Sequence, residues 1–320
     1  MRAVVAATAG GPGVLEVREE ADPVPSAMQL LVDVAAVGVN YRDVYEREGN
    51  YGRLPPLIVG VEGAGTVAAL GEGAADFSIG DRVAWVNAPG SYAERVVVDA
   101  SAAVSIPDGV SFELGAAALL QGMTAHYLAS STFPVQPGDT VVVHAAAGGV
   151  GLLLTQVVKI RGGRVIATTS TDEKAALARA AGADVVIGYD GFAERVRELT
   201  GGEGAAAVYD GVGKATMLAG LEALKPRGMM VLYGAASGQP DPLDLSRLGG
   251  RGSLYVTRPV LGAYTATRAE LLERAGDVFA WIESGELDVR IGARYPLAEA
   301  RRAHEDLEAR RTTGKLLLIP

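Results

Sequence analysis

Between residues 122 and 262 the chain repeats one rhythm, and that rhythm restricts the fold more than any other feature. "DTVVVHAA" has the β-branched character of a strand, and "GVGLLLTQVVKIRG" the period of a helix. The alternation continues through "RVIATTS", "DEKAALARAAG", "ADVVIGY", "FAERVRELTG" and "AAAVYDGVG". It ends with "ATMLAGLEALKPRG" as a helix, then "MMVLYGA" and "GSLYVTRP" as strands. Parallel neighbours need a long crossover, which a helix of ten to fifteen residues supplies, so the segment predicts a doubly wound parallel sheet.

The flanks differ. Residues 1–121 are cut into short β-branched segments, "MRAVVAA", "LEVREE", "QLLVDVAAVGVN", "AGTVAAL" and "ERVVVDA". Turn signals such as "GGPG", "GEGA" and "NAPG" punctuate them, and almost no long helical period intervenes. That predicts an antiparallel or barrel-like domain. The tail 263–320 holds the amphipathic "TRAELLERAGDVFAWIESGEL", then a helix and a final strand, "KLLLIP". It is expected to return to the first domain. The fold class is therefore α/β, with a domain built from 1–121 and 263–320 and a second domain, 122–262, inserted in it. Clefts are expected where the chain crosses.

Composition removes several functions. A formal charge of −9 without a dense basic run disfavours nucleic acid as a partner. With no cysteine, disulfides, thiolate nucleophiles and thiolate metal sites are excluded. Three histidines, His126, His144 and His304, make a tetrahedral N/S zinc site implausible; each reads as structural. No apolar run reaches a bilayer span and the first residues do not read as a signal peptide, which points to a cytoplasmic protein.

The three glycines of "AAAGGVG", Gly148, Gly149 and Gly151, fall where a strand turns into a helix. Glycine there lets backbone N–H groups approach a pyrophosphate, and the helix N-terminus supplies partial positive charge. A tight turn in a nucleotide-free domain would use the same residues, but five further strands in order favour a dinucleotide. A site for NAD carries an acid at the end of the second strand, to accept from the ribose 2′-hydroxyl. Here Thr169 and Ser170 stand at that end, with Lys174 four residues beyond. A small polar residue and a nearby ammonium suit a 2′-phosphate, so NADPH is the expected cofactor. Lys174 could also be a solvated helix lysine paired with Asp172 or Glu173.

These stretches, with "GVEGAGTV", "GDRV" and "GMTAHYL", resemble the zinc-free quinone oxidoreductases of the medium-chain dehydrogenase/reductase superfamily, of the zeta-crystallin type. The resemblance covers essentially the whole chain. It implies a GroES-like catalytic domain interrupted by a Rossmann domain, a homodimer, and NADPH-dependent hydride transfer to a quinone. In zinc-dependent relatives a cysteine stands near the position of Asn40 and a histidine in a "GHE" run; this chain has Asn40 and, in "GVEGAG", Val61 before Glu62. Glu62 then reads as a remnant or a turn-stabilising acid.

The resemblance further implies that Asn40, Tyr45 and Tyr51 line the nicotinamide and substrate cleft, with Arg258 facing it. "NYRDVYEREGNYG" reads by itself as an aromatic, polar loop suited to stacking on a planar acceptor. Gln121 and Thr124 are implied near the nicotinamide, and Gly148, Gly149 and Val150 at the pyrophosphate. Ser170, Lys174 and Tyr189 are implied at the 2′-phosphate, and Tyr233, Gly234, Ala235, Ser237 and Val256 along the remaining strand ends. Gln121 and Ser170 depart from relatives that carry lysine and glycine there. Two other functions stay open: an NADPH-dependent enone or alkenal double-bond reductase, and a non-catalytic, crystallin-like NADPH-binding protein.

Overall fold

The computed structural model describes residues 1–50 and 52–320. They form two compact units, one made of 1–120, 267–284 and 289–320, the other of 121–266 and 285–288.

In the second unit six strands lie in one parallel sheet. In chain order they and their helices are β1 (Thr140–Val143), α1 (Gly149–Ile160), β2 (Arg164–Thr168), α2 (Asp172–Ala180), β3 (Val185–Ile187) and α3 (Phe192–Leu199). There follow β4 (Ala205–Asp210), α4 (Met217–Ala223), β5 (Leu224–Leu232) and β6 (Tyr255–Thr257). Their spatial order is β3-β2-β1-β4-β5-β6, so the winding reverses between β1 and β4. Strands covered on both faces should be continuously apolar, and Val141, Val142, Val143, Ile166, Val208 and Met230 are all fully buried.

One helix is shorter than its sequence suggests. "ATMLAGLEALKPRG" stays helical only to Ala223, and Leu224–Leu232 joins the ladder beside β4, with an irregularity between Ala205 and Ala207. Pro226 cannot continue a helix, and Arg227 has φ +60°, so the chain turns into the sheet there.

In the first unit the strand Gln29–Val39 is central. It pairs antiparallel with Gly63–Leu70, with Arg95–Asp99 and, through Leu316↔Val39, with Lys315–Ile319. A smaller sheet holds Leu15–Glu19, Arg2–Ala6 and Leu57–Ile58. The core between them gathers Val4, Leu30, Val32, Val37, Val67, Trp85, Tyr92 and Leu316. The indole N–H of Trp85 donates to Ser91 Oγ at 2.9 Å, so the largest buried side chain carries no orphan donor. The sequence reading of Asn40–Gly52 as a loop is corrected. Tyr41–Arg47 is a helix, opened by a capping box in which Asn40 N–H donates to Asp43 Oδ2 at 2.8 Å.

Candidate functional site

The second unit places the glycine turn where the winding reverses, which is where open α/β sheets take ligands. Gly148 caps α1 without a side-chain acceptor, so its first-turn N–H groups get none from the cap residue. The glycines are dictated by packing. A Cβ on Gly149 would run into the Gln121 amide, and one on Gly151 would meet the backbone of Ala145 and Ala146. A helix N-terminus without a side-chain cap and a backbone free of Cβ atoms fit a pyrophosphate.

The turn is shored from below. Gly148 N–H donates to Ala145 O at 2.9 Å, and Ala145 itself has φ +49°. Its N–H donates to the Tyr189 hydroxyl at 3.0 Å. The Tyr189 ring stacks on His144 at 5.9 Å between centroids, and Phe192 meets the same imidazole edge-on at 4.7 Å. His144 Nδ1 lies 2.8 Å from Thr168 Oγ1. Burial pushes His144 down to about 4, partly countered by Asp210, so it is neutral.

Beyond β2, Thr169 is buried and Ser170 exposed. Thr171 caps α2, its Oγ1 accepting from Lys174 N–H at 3.3 Å. The end of the strand therefore presents hydroxyls and a half-buried lysine, with no acid at Thr169 or Ser170. That set fits a 2′-phosphate and has, at Thr169 and Ser170, no carboxylate of the kind that an unphosphorylated ribose uses.

The next turn is organised by Asp210, which sequence reasoning passed over. It is fully buried; Oδ1 accepts from Val212 N–H at 2.7 Å and Gly213 N–H at 3.0 Å, and Oδ2 from the Thr216 hydroxyl at 2.7 Å. The run "YDGVG" carried the signal, an aspartate that bonds the backbone two and three residues on. Tyr233 and Gly234 follow β5, both N–H groups pointing at Asp210 O, and Ala235 is buried. Ser237 is engaged with this turn, donating to Val212 O at 2.8 Å and accepting from Ala215 N–H at 3.0 Å. Val256 is half-buried in β6, and exposed Arg258 donates to Gln239 Oε1 at 2.8 Å. Gln121 lies beside Gly149, and Thr124 is buried.

In the first unit Asn40 belongs to a buried polar cluster. Lys315 Nζ donates to Glu62 Oε2 at 2.5 Å and to Asn40 Oδ1 at 2.7 Å. Asn40 Nδ2 donates to the same Glu62 oxygen at 2.7 Å and to Gly38 O at 3.2 Å. Leu120 N–H donates to Glu62 Oε1 at 2.7 Å. Glu62 is thus neither a remnant nor a turn acid but the fully buried counter-ion of Lys315. Asn40 has both amide protons inside the protein.

A second chain of bonds starts at Asp43, beside Asn40. Tyr92 donates to Asp43 Oδ2 at 3.0 Å, and its oxygen lies 3.0 Å from His304 Nε2. His304 Nδ1 lies 3.0 Å from Arg47 Nη1, which only donates. The imidazole is therefore the Nε2–H tautomer, accepting from Arg47 and donating to Tyr92. Burial, and then the Arg47 charge, push His304 down to about 3. Burial raises Asp43 to about 7, although Asn40 N–H and Tyr92 favour its anion. Tyr45 is half-buried, its ring 5.8 Å from that of Tyr41; Tyr51 lies outside the described residues.

Gly38 is where this cluster is tightest. A Cβ there would lie 2.5 Å from Glu62 Oε2 and Ala116 O, and 2.7 Å from Lys315 Cε. Gly38→Ala is expected to destabilise the protein by about 1–3 kcal/mol, read as a fall in Tm, since buried side chains must yield. An unchanged Tm would mean the cluster is loosely packed.

No group of three or more potential metal-ligating side chains is found among the described residues, and no helix there is long and apolar enough to cross a membrane.

Comparison with known proteins finds two family matches along the chain. The Alcohol dehydrogenase GroES-like domain matches residues 26–108, and the Zinc-binding dehydrogenase family matches 149–276. A quinone oxidoreductase of Pseudomonas aeruginosa is 44% identical over 315 residues, 97% of each chain. A 2-haloacrylate reductase of a Burkholderia species is 40% identical over 306 residues, 92% of each. A mycobacterial protein solved as a complex with NADPH is 51% identical, with TM-score 0.98 and 100% of both chains covered. By matched domains, by identity across nearly its full length and by fold, the chain belongs to the quinone oxidoreductases of the medium-chain dehydrogenase/reductase superfamily.

Proposed function

We propose that this protein is an NADPH-dependent quinone reductase. The observation that carries the reading is the pairing of a glycine-opened helix at the winding reversal with a second strand that ends in hydroxyls and Lys174 rather than an acid. The relatives' names and the NADPH-bound neighbour support it.

Bound NADPH supplies the hydride. The residues of this chain bind, orient and exclude water around it. Gly149 and Val150 offer backbone N–H groups to the pyrophosphate, beside Gly148, whose own N–H is bound to Ala145 O and which contributes the absence of a side chain, while Ser170, Lys174 and Tyr189 serve the 2′-phosphate. Gln121, Thr124, Tyr233, Gly234, Ala235, Ser237 and Val256 shape the cofactor's course along the strand ends. Tyr45, Tyr51 and Arg258 are assigned to the cleft shared by nicotinamide and substrate, Arg258 serving the cofactor as well. Asn40 acts there by fixing the start of its helix, because its amide is engaged with Glu62, Lys315 and Gly38. A quinone taking up one hydride and one solvent proton becomes a hydroquinone; the acceptor is electron-poor, so positioning can supply much of the rate. The same reading carries an expected homodimer, which light scattering checks, and a cytoplasmic location.

A charge-assisted contact to phosphate contributes about 1.5–3 kcal/mol. Lys174→Ala is therefore expected to raise the Kd for NADPH about tenfold or more and leave that for NADH nearly unchanged. Equal losses would refute the 2′-phosphate assignment. The 2-haloacrylate reductase relative favours one second reading, reduction of an activated carbon–carbon double bond. NADPH oxidation with 1,4-benzoquinone, 9,10-phenanthrenequinone and 2-hexenal separates the two. Binding without turnover of any acceptor would mean a non-catalytic protein.

A further inference from the structure

We infer that Tyr189 is a positioning residue for the pyrophosphate turn, and so acts on both phosphate ends of the cofactor. The inference rests on the proposed NADPH site and extends it.

Three observations lead there. Ala145 holds a left-handed conformation, φ +49°, that costs a residue with a Cβ energy that glycine avoids. It is also the keystone of the turn: its carbonyl accepts from Gly148 N–H at 2.9 Å and occupies the space into which a Gly151 side chain would grow. Its N–H donates to the Tyr189 hydroxyl at 3.0 Å. Tyr189 follows β3, the edge strand, so this bond reaches across β2 to the end of β1. The ring cannot drift easily, because it stacks on His144, which is itself held by Thr168 and Phe192.

The hydroxyl accepts from Ala145 and keeps its own proton to donate. One group can thus fix the backbone that meets the pyrophosphate and still contact a phosphate oxygen. A residue serving only the 2′-phosphate would discriminate NADPH from NADH. A residue that sets the turn must affect both.

Fluorescence titration of Tyr189→Phe with NADPH and with NADH tests this. The phenylalanine keeps the stack on His144 and removes the acceptor. The Kd for NADH is expected to rise about fivefold to tenfold, and that for NADPH by at least as much. In the ligand-free protein, amide exchange at Ala145 is expected to accelerate. Ala145→Gly in the Tyr189→Phe background should recover most of the NADH affinity, since glycine adopts the left-handed conformation without a tether. Unchanged NADH binding in Tyr189→Phe, or no recovery with glycine, would overturn the inference and leave Tyr189 a 2′-phosphate contact. Failure of the wild-type protein to bind either cofactor would instead overturn the proposed function.

Discussion

Replacing Lys315 by methionine is expected to cost about 3–5 kcal/mol of stability, the range for removing one partner of a buried ion pair. Lys315 and Glu62 are 1% and 0% exposed, so the abandoned carboxylate loses its counter-ion and is left with Asn40 and the Leu120 N–H against the loss of solvent. An exposed pair such as Arg301–Glu305, at 61% and 43%, contributes about 0.3–0.5 kcal/mol on a helix and serves as the control. Adding Glu62→Gln to Lys315→Met should restore part of the loss, because the residual penalty comes from an unmatched charge. Urea unfolding of the two variants decides. If the double variant is no more stable than the single, the pair is not what holds this region together.

Stability is expected to fall by about 1.4 kcal/mol for each pH unit lost between pH 6 and 4.5. His144 and His304 are held at about 4 and about 3, so in that window the folded protein refuses two protons that the unfolded chain, with both near 6.5, accepts. Their contribution is complete above 6.5 and drains as pH falls. Asp43 works the other way. Raised from 3.8 to about 7, it binds a proton in the fold that the unfolded chain does not yet hold, and its contribution drains as pH rises through 7. Two histidines against one carboxyl leave a net proton favouring the unfolded state. His304→Gln should flatten the slope, since one histidine then offsets Asp43. A wild-type protein equally stable at pH 6 and 4.5 would mean that these groups are not buried neutral.

What could be read from the residue order was what neighbours in the chain decide. The glycine turn and the strands around Val141–Val143 and Arg164–Thr168 are local features, so pattern and turn chemistry locate them. The helix Tyr41–Arg47 was hidden because two turns of polar and aromatic residues carry no clear apolar period; its stability comes from the Asn40–Asp43 box and from burial of Val44. The end of α4 was misplaced because Leu224 and Lys225 are good helix formers overruled by the ladder beside β4. Glu62 could not be interpreted at all from its surroundings in the chain, since its counter-ion stands 253 residues away. Tyr92 and His304, 212 residues apart, are illegible for the same reason.

That separation shapes how the molecule assembles. The segment 121–266 contains every strand of its own sheet, so it can close on contacts made within itself. The unit around Gln29–Val39 has no such freedom: the Val37–Val39 end of its central strand lacks one flank until Leu316–Leu318 arrive, and Asn40 waits 275 residues for Lys315. Bringing such distant partners together is slow, because chain entropy is spent before any bond rewards it. The inserted unit should mature first during refolding, while the surrounding one stays open, its Glu62 hydrated, until the final strand docks.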